Sequence, residues 1–231
     1  MQINFRGSGG FGKGFKEAGY SEWNGKMTDD LIDGLNYWIK EGLINANKIV
    51  AYGESYGAFA VASCMTRYPD FFTCGIAVNG LYDQVQEFER LDSDKERIHY
   101  SQQYGVSITE DHLVSESDLE KLRKSSSYYA IDQLQKPLFI ISGAADDICD
   151  PEQSHALAER AQELGKSVLH VEFDDAGHSL DTVKSDAGQL HKLQFGLCEN
   201  FVSRYLPEIF AEPVSADFAK EKTAHIIRST L

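Results

Sequence analysis

The chain has 231 residues, of which 42% are hydrophobic and 25% are charged, and its formal net charge is −14. This acidity argues against nucleic acid and anionic membrane surfaces as partners, because both need a basic face. No apolar run reaches the 18 or so residues that predict a membrane-spanning helix, and the length suits one large domain with a sizeable core.

Five short apolar runs, each bounded by turn residues, predict buried strands. In chain order they are QINF (2–5), KIVAYG (48–53), CGIAVNG (74–80), PLFIISG (137–143) and VLHVEF (168–173). Helical patterns lie between and after them, at 29–42, 56–69, 152–165 and 190–206. This alternation predicts an α/β fold with a mostly parallel sheet and helices on both faces.

Two segments do not follow this alternation of strand and helix patterns. Residues 83–130 are charged, rich in Ser and Tyr and poor in apolar runs. They predict an irregular or helical excursion within a domain that spans residues 1–206, not a second domain. The tail, residues 207–231, follows this domain and is predicted to form one short helix at most.

The stretch IVAYGESYGAFAVA, residues 49–62, contains the motif G-x-S-x-G between a strand pattern and a helix pattern. In this context the motif predicts a sharp turn that raises the Ser55 hydroxyl above the end of the sheet. A serine hydroxyl is a poor nucleophile alone and needs a base and an orienting acid. The backbone N–H of Tyr56, at the helix start, is the predicted donor to an oxyanion.

The partners of such a serine should follow it in the order acid, then histidine, each just after a strand. Asp146, Asp147 and Asp150 follow the strand at 137–143, and His178 follows the strand at 168–173. Asp146 is the preferred acid, because Asp147 should point away from its neighbour and Asp150 precedes a helix that it could cap. The other histidines are predicted to be ordinary surface or core residues: His99, His112, His155, His170, His191 and His225.

Several segments together resemble the catalytic domain of the prolyl oligopeptidase family of serine peptidases. The resemblance is carried by NFRGSGGFGKGFKEAG (4–19), GKMTDDLIDGLNYWI (25–39), residues 47–80, KPLFIISGAADD (136–147) and FDDAGHSL (173–180). It implies the α/β-hydrolase fold, with Ser55 as nucleophile, Asp146 as acid and His178 as base. It implies hydrolysis of oligopeptides through an acyl-enzyme, with a peptide or small acyl compound as substrate and neither a metal nor an organic cofactor.

The sequence departs from the family pattern in ways that keep alternatives open. Ala58 stands where a second glycine is usual, Glu54 replaces Gly or Trp, and Ile148 and Cys149 replace Arg-Val. The family's propeller, its first strands and the glycine-rich loop that supplies a second oxyanion donor would all precede residue 1. We therefore expect an N-terminally incomplete hydrolase sheet. A missing N-terminal portion, a homo-oligomer or a strand at 2–5 packed against 48–52 could complete that sheet.

Other expectations concern the substrate, the reaction and the compartment. Leu81, Tyr82 and Phe88 are candidate substrate contacts, with ordinary core or lid packing as the alternative. An esterase on the same scaffold and a catalytically weak fragment are the rival functions. The unpaired cysteines and the lack of a signal peptide pattern favour the cytoplasm, with a periplasmic or secreted location left open. The cysteines are Cys64, Cys74, Cys149 and Cys198.

Overall fold

The computed structural model describes residues 1–91, 93–108, 114–180, 187–209 and 224–229. Within them the helices are α1 Lys13–Glu17, α2 Lys26–Lys40, α3 Tyr56–Arg67, α4 Gln84–Arg90, α5 Asp94–Tyr104, α6 Glu116–Ser125, α7 Pro151–Glu163 and α8 Ala187–Ser203. The strands are β1 Val50–Glu54, β2 Cys74–Val78, β3 Leu138–Gly143, β4 Val168–Phe173 and β5 Ala224–Ser229. Short 3-10 turns occupy Tyr128–Gln133 and Pro207–Ile209.

The chain divides into two compact units. The helical unit comprises residues 1–45 and 82–130, and the sheet unit comprises residues 46–81 and 131–231. In the sheet unit the strand order is β1-β2-β3-β4-β5. The first four strands are parallel, and β5 runs antiparallel to β4. No helix of the described residues is long and apolar enough to cross a bilayer.

Helices cover both faces of this sheet. On one face Phe139 and Phe173 pack in the same buried cluster as Phe201 of α8. On the other face, a Cβ built on Gly75 would meet Met65 and Val61 of α3, and α7 packs against β3 and β4. Because neither face of the central strands meets water, their side chains are almost entirely apolar.

The helical unit is built differently. Its buried cluster is small: Phe88, Leu91, Tyr104, Val106 and Leu122. Side-chain caps begin three of its helices, from Asp83 for α4, Ser93 for α5 and Ser115 for α6. These caps satisfy backbone N–H groups that a helix leaves unpaired at its start. Arg6 makes a two-pronged ion pair with Asp30 of α2, at 2.6 and 2.7 Å.

The structure corrects one predicted strand and adds one. Residues 2–5 form no strand, so the prediction of a strand there is wrong, and so is the alternative in which that strand packs against residues 48–52. Ile3, which is partly buried, instead packs against Gly34 of α2, because a run with only two apolar residues, Ile3 and Phe5, can cover them without a sheet partner. The tail contains β5, which was not predicted, and the short helix expected there would fall on residues 210–223, outside the described residues.

Candidate active site

Ser55 lies at the sharp turn between β1 and α3, as predicted. Its backbone adopts φ 56° and ψ −123°, a conformation that is strained for any residue with a side chain. A backbone hydrogen bond of 2.9 Å from its N–H to the carbonyl of Val78 holds the turn against the end of β2. A Cβ on Gly53 would lie 2.2 Å from the carbonyl oxygen of Gly57. Glycine is therefore required at 53 for strand and helix to approach.

Asp146 lies in the loop after β3, and its carboxylate is almost completely buried, with 1% of the side chain exposed. Its Oδ1 accepts hydrogen bonds from the backbone N–H groups of Ile148 and Cys149, both at 2.9 Å. Asp147 is exposed, and Asp150 caps α7 through a 3.0 Å bond from the N–H of Glu152. The three neighbouring acids thus have the separate positions that the sequence suggested.

His178 lies in the loop after β4 and contacts Asp146 directly. Its Nδ1 is 2.8 Å from Oδ2 and 3.0 Å from Oδ1 of Asp146. Since a carboxylate only accepts hydrogen bonds, Nδ1 carries the proton. In the neutral ring Nε2 is then an acceptor, the form in which an imidazole can remove a proton from a hydroxyl.

Asn79 is a residue of the site that sequence reasoning missed. It follows β2, has a positive φ of 48° and is 2% exposed. Its amide nitrogen donates to the carbonyls of His178 at 2.6 Å and Gly177 at 3.3 Å. Its amide oxygen accepts from the N–H of Gly143, at 2.8 Å. One side chain therefore ties the loop that carries His178 to the strand that leads to Asp146.

The same contacts bring these loops toward Ser55. The N–H of Ser55 binds the carbonyl of Val78, the residue before Asn79, and Asn79 binds the backbone of His178. No hydrogen bond joins the hydroxyl of Ser55 to the ring of His178 among the described residues. The structure thus pairs acid with base and anchors the serine to the same strand end. Catalytic hydrogen bonds are often formed only when substrate binds.

The residues suggested as substrate contacts have different environments. Leu81 is partly exposed. Tyr82 has no exposed surface, and Phe88 is 3% exposed within the buried cluster of the helical unit. The burial of Tyr82 and Phe88 favours core packing, the alternative considered for these residues.

Glu54, beside the serine, is exposed and accepts a hydrogen bond from the hydroxyl of Tyr52. Burial, followed by this bond, raises the pKa of Tyr52, so the phenol stays protonated at neutral pH. The amide of Gln194 also donates to the Tyr52 hydroxyl, at 3.1 Å. The glutamate is therefore engaged with its own strand.

The chain is similar to known proteins over most of its length. The sequence profile of the prolyl oligopeptidase family matches residues 1–203. The chain is 31% identical over 229 residues to dipeptidyl aminopeptidase BIII of Pseudoxanthomonas mexicana. This match covers 94% of this chain and 30% of that protein. It is 29% identical over 185 residues to dipeptidyl peptidase family member 6 of Caenorhabditis elegans, covering 78% of this chain and 24% of that protein.

Solved structures show the same fold. An acylaminoacyl peptidase of Pyrococcus horikoshii matches with a TM-score of 0.75 and 21% identity, over 94% of this chain and 33% of that one. A structure titled puromycin hydrolase matches with a TM-score of 0.70 and 19% identity, over 88% of this chain and 29% of that one. These structural matches confirm the predicted α/β-hydrolase fold, and the family profile confirms the family resemblance. The chain spans about a third or less of the length of these proteins.

Proposed function

Because the chain belongs to the prolyl oligopeptidase family, we propose that it is a serine peptidase that cleaves oligopeptides through an acyl-enzyme on Ser55. The observation that carries this proposal is the contact of both Asp146 carboxylate oxygens with Nδ1 of His178. That contact presents Nε2 as a base at the end of the sheet where the turn of Ser55 lies. The peptidase names of the relatives support peptides over simple esters as substrates.

The proposed reaction proceeds in two halves. His178 Nε2 takes the proton of Ser55 as its Oγ attacks the acyl carbon, and the Tyr56 N–H donates to the oxyanion. The Nδ1–H bond to Asp146 stabilises the imidazolium, which then gives its proton to the leaving amine. Water, activated by His178, attacks the acyl-enzyme, which releases the carboxylic acid product and regenerates the hydroxyl of Ser55. These steps need no metal and no organic cofactor.

A fluorophosphonate probe tests the nucleophile. We expect the probe to label the wild-type chain and the Ser117→Ala variant, in which an exposed serine of α6 is removed. Ser55→Ala should not be labelled, because only an activated hydroxyl reacts. Equal labelling of Ser55→Ala, or no labelling of the wild type, would overturn the assignment of Ser55.

Substrates then separate peptidase from esterase. Aminoacyl and dipeptidyl p-nitroanilides carry an amide at the scissile bond, and p-nitrophenyl esters carry an ester. A peptidase hydrolyses both classes, with the same dependence on Ser55 and His178. Hydrolysis of the esters alone would reject the peptidase proposal in favour of the esterase.

A further inference from the structure

A second group of titratable side chains lies in the sheet unit, and the proposed reaction does not use it. His170 and Glu172 are two residues apart on β4, so their side chains share one face of the sheet. His155 is on α7, the helix that packs against that face. The group therefore joins a strand and its covering helix.

The contacts within this group are close. Nε2 of His155 is 2.6 Å from Oε2 of Glu172. Nε2 of His170 is 2.8 Å from the hydroxyl of Ser142 on β3, and that hydroxyl is 3.3 Å from the same Oε2. One donor atom from each of His155, His170 and Glu172 lies within 4.8 Å of the other two.

We propose that His155, His170 and Glu172 form a binding site for a transition-metal dication such as Zn²⁺. Two imidazole nitrogens and one carboxylate oxygen are a donor set that zinc takes in proteins, with a water in the fourth position. Zinc holds such donors about 2.0–2.2 Å from the ion, so binding requires side-chain movements on the order of an ångström. His155 is the most exposed of the three side chains, at 33%, and therefore has the most room to adjust.

The surroundings suit a metal site in two further respects. His170 is fully buried and only 12% of the Glu172 side chain is exposed, so a bound ion would be shielded from bulk water. Nδ1 of His155 lies 3.4 Å from a carboxylate oxygen of Glu152. A carboxylate on the far nitrogen of a ligating histidine fixes its orientation and strengthens metal binding.

The location gives the site a structural role. Ser142 and Glu172 come just before the loops that carry Asp146 and His178, and α7 begins at Pro151, directly after the Asp146 loop. An ion held between β4 and α7 would brace the elements from which acid and base project. We therefore expect metal to raise the unfolding temperature of the chain, because a ligand that binds only the folded state stabilises it.

Co²⁺ is the probe, because its visible absorption bands report tetrahedral nitrogen and oxygen ligands directly. After chelator treatment, the full chain should bind one equivalent of Co²⁺ that Zn²⁺ displaces. His155→Ala and Glu172→Gln should lose the bands. His99→Ala, which removes an exposed imidazole of α5, should keep them. Far-ultraviolet circular dichroism verifies that each variant is folded.

His178→Ala separates this site from the catalytic histidine. The proposal requires that His178→Ala retain the Co²⁺ bands in full. Glu152→Gln should weaken binding about 10- to 100-fold without abolishing it. Loss of the bands in His178→Ala, their retention in His155→Ala and Glu172→Gln, or absence of binding to the wild type at micromolar Co²⁺ would each overturn the proposal.

Discussion

Two carboxylates, one in each unit, make similar contacts and have different consequences. Asp146 in the sheet unit accepts backbone N–H groups and the imidazole of His178. Asp30 in the helical unit accepts the backbone N–H and the guanidinium of Arg6. An imidazole exchanges protons near neutral pH, whereas a guanidinium stays charged. Similar hydrogen bonding therefore orients an imidazole for the proposed reaction in the sheet unit and forms a fixed ion pair in the helical unit.

The pKa values of two acids in the helical unit and of two thiols in the sheet unit shift for different reasons. In the helical unit the bond from Arg6 lowers the pKa of Asp30, and the bond from Lys121 lowers that of Asp118. In the sheet unit burial raises the pKa of the Cys74 and Cys198 thiols to about 12. These bonds hold the two acids of the helical unit in their charged form, and burial keeps the two thiols of the sheet unit protonated.

The chain carries a separate natural probe for each unit. Its two tryptophans, Trp23 and Trp38, belong to the helical unit, and its four cysteines belong to the sheet unit. All four cysteines lie outside disulfides and are buried, so they react with a thiol reagent only when the sheet unit opens. Tryptophan fluorescence and thiol reactivity can therefore follow the two units separately.

The largest expected effect is on activity, from Asp146→Asn. An amide in place of the carboxylate can donate to Nδ1 and leaves the imidazole in the wrong tautomer, so we expect kcat to fall about 10⁴-fold. Steady-state hydrolysis of a p-nitrophenyl ester measures it, with Asp147→Asn as the matched control on an exposed neighbour. A fall in kcat of less than about tenfold would mean that Asp146, like Asp30, has only a structural role.

Asn79→Ala comes next. The side chain fixes the loop of His178, and a misplacement of about 1 Å can cost about 100-fold in rate, so we expect kcat to fall by about that factor with KM nearly unchanged. Asn79→Asp keeps the oxygen that accepts from Gly143 and loses the donor to His178 and Gly177. It should therefore be as inactive as Asn79→Ala, and activity near wild type in Asn79→Asp would exclude a positioning role.

Features of the fold could be predicted from the sequence where residues close together in the chain define them. β2 to β4 were predicted because strands buried on both faces are continuous apolar runs. β1 is only partly buried, and it was predicted from the short apolar run that leads into the G-x-S-x-G motif. Ser55, Asp146 and His178 were suggested by their order after three such strands, and the structure pairs the last two. The strand predicted at 2–5 is absent, because Ile3 packs against Gly34 of a helix instead of pairing in the sheet.

Other features depend on contacts between distant segments and have no local pattern. The polar residue that ends CGIAVNG is compatible with an ordinary turn, and only the packed loops show that Asn79 binds residues 143, 177 and 178. The approach of His155 to Glu172 requires α7 to lie across β4. The strand Ala224–Ser229 combines charged and apolar residues, as edge strands do. It therefore lacks the continuous apolar run by which the buried strands were predicted.

Gly53→Ala tests the packing of the sheet unit. The added methyl would sit 2.2 Å from the carbonyl of Gly57, and overpacking of this kind costs about 1–3 kcal/mol in the free energy of unfolding. Gly57→Ala is the control, because its methyl meets no atom within 4 Å. Urea titration followed by thiol reactivity should show Gly53→Ala destabilised and Gly57→Ala nearly unchanged. Equal midpoints would contradict the close approach at the turn.

Asp30→Asn is expected to act on the helical unit, with a smaller effect. The ion pair is about one-third exposed on the Arg6 side and 23% exposed on the Asp30 side, so we expect a loss of about 1–2 kcal/mol at pH 7. Because the folded pKa of Asp30 lies below its ordinary value of 3.8, its contribution is present above that value. It disappears as the pH falls through the folded pKa.

The difference in unfolding free energy between wild type and Asp30→Asn should therefore be constant from pH 7 to about pH 5 and shrink below about pH 4. Tryptophan fluorescence in urea, repeated at each pH, measures this difference for the helical unit. Thiol reactivity, measured in the same samples above pH 6 where the reagent works, should change less than fluorescence if the units open separately. A fluorescence difference that persists unchanged at pH 3 would show that Asp30 acts through packing. Asp30 would then not be the ion-pairing counterpart of Asp146.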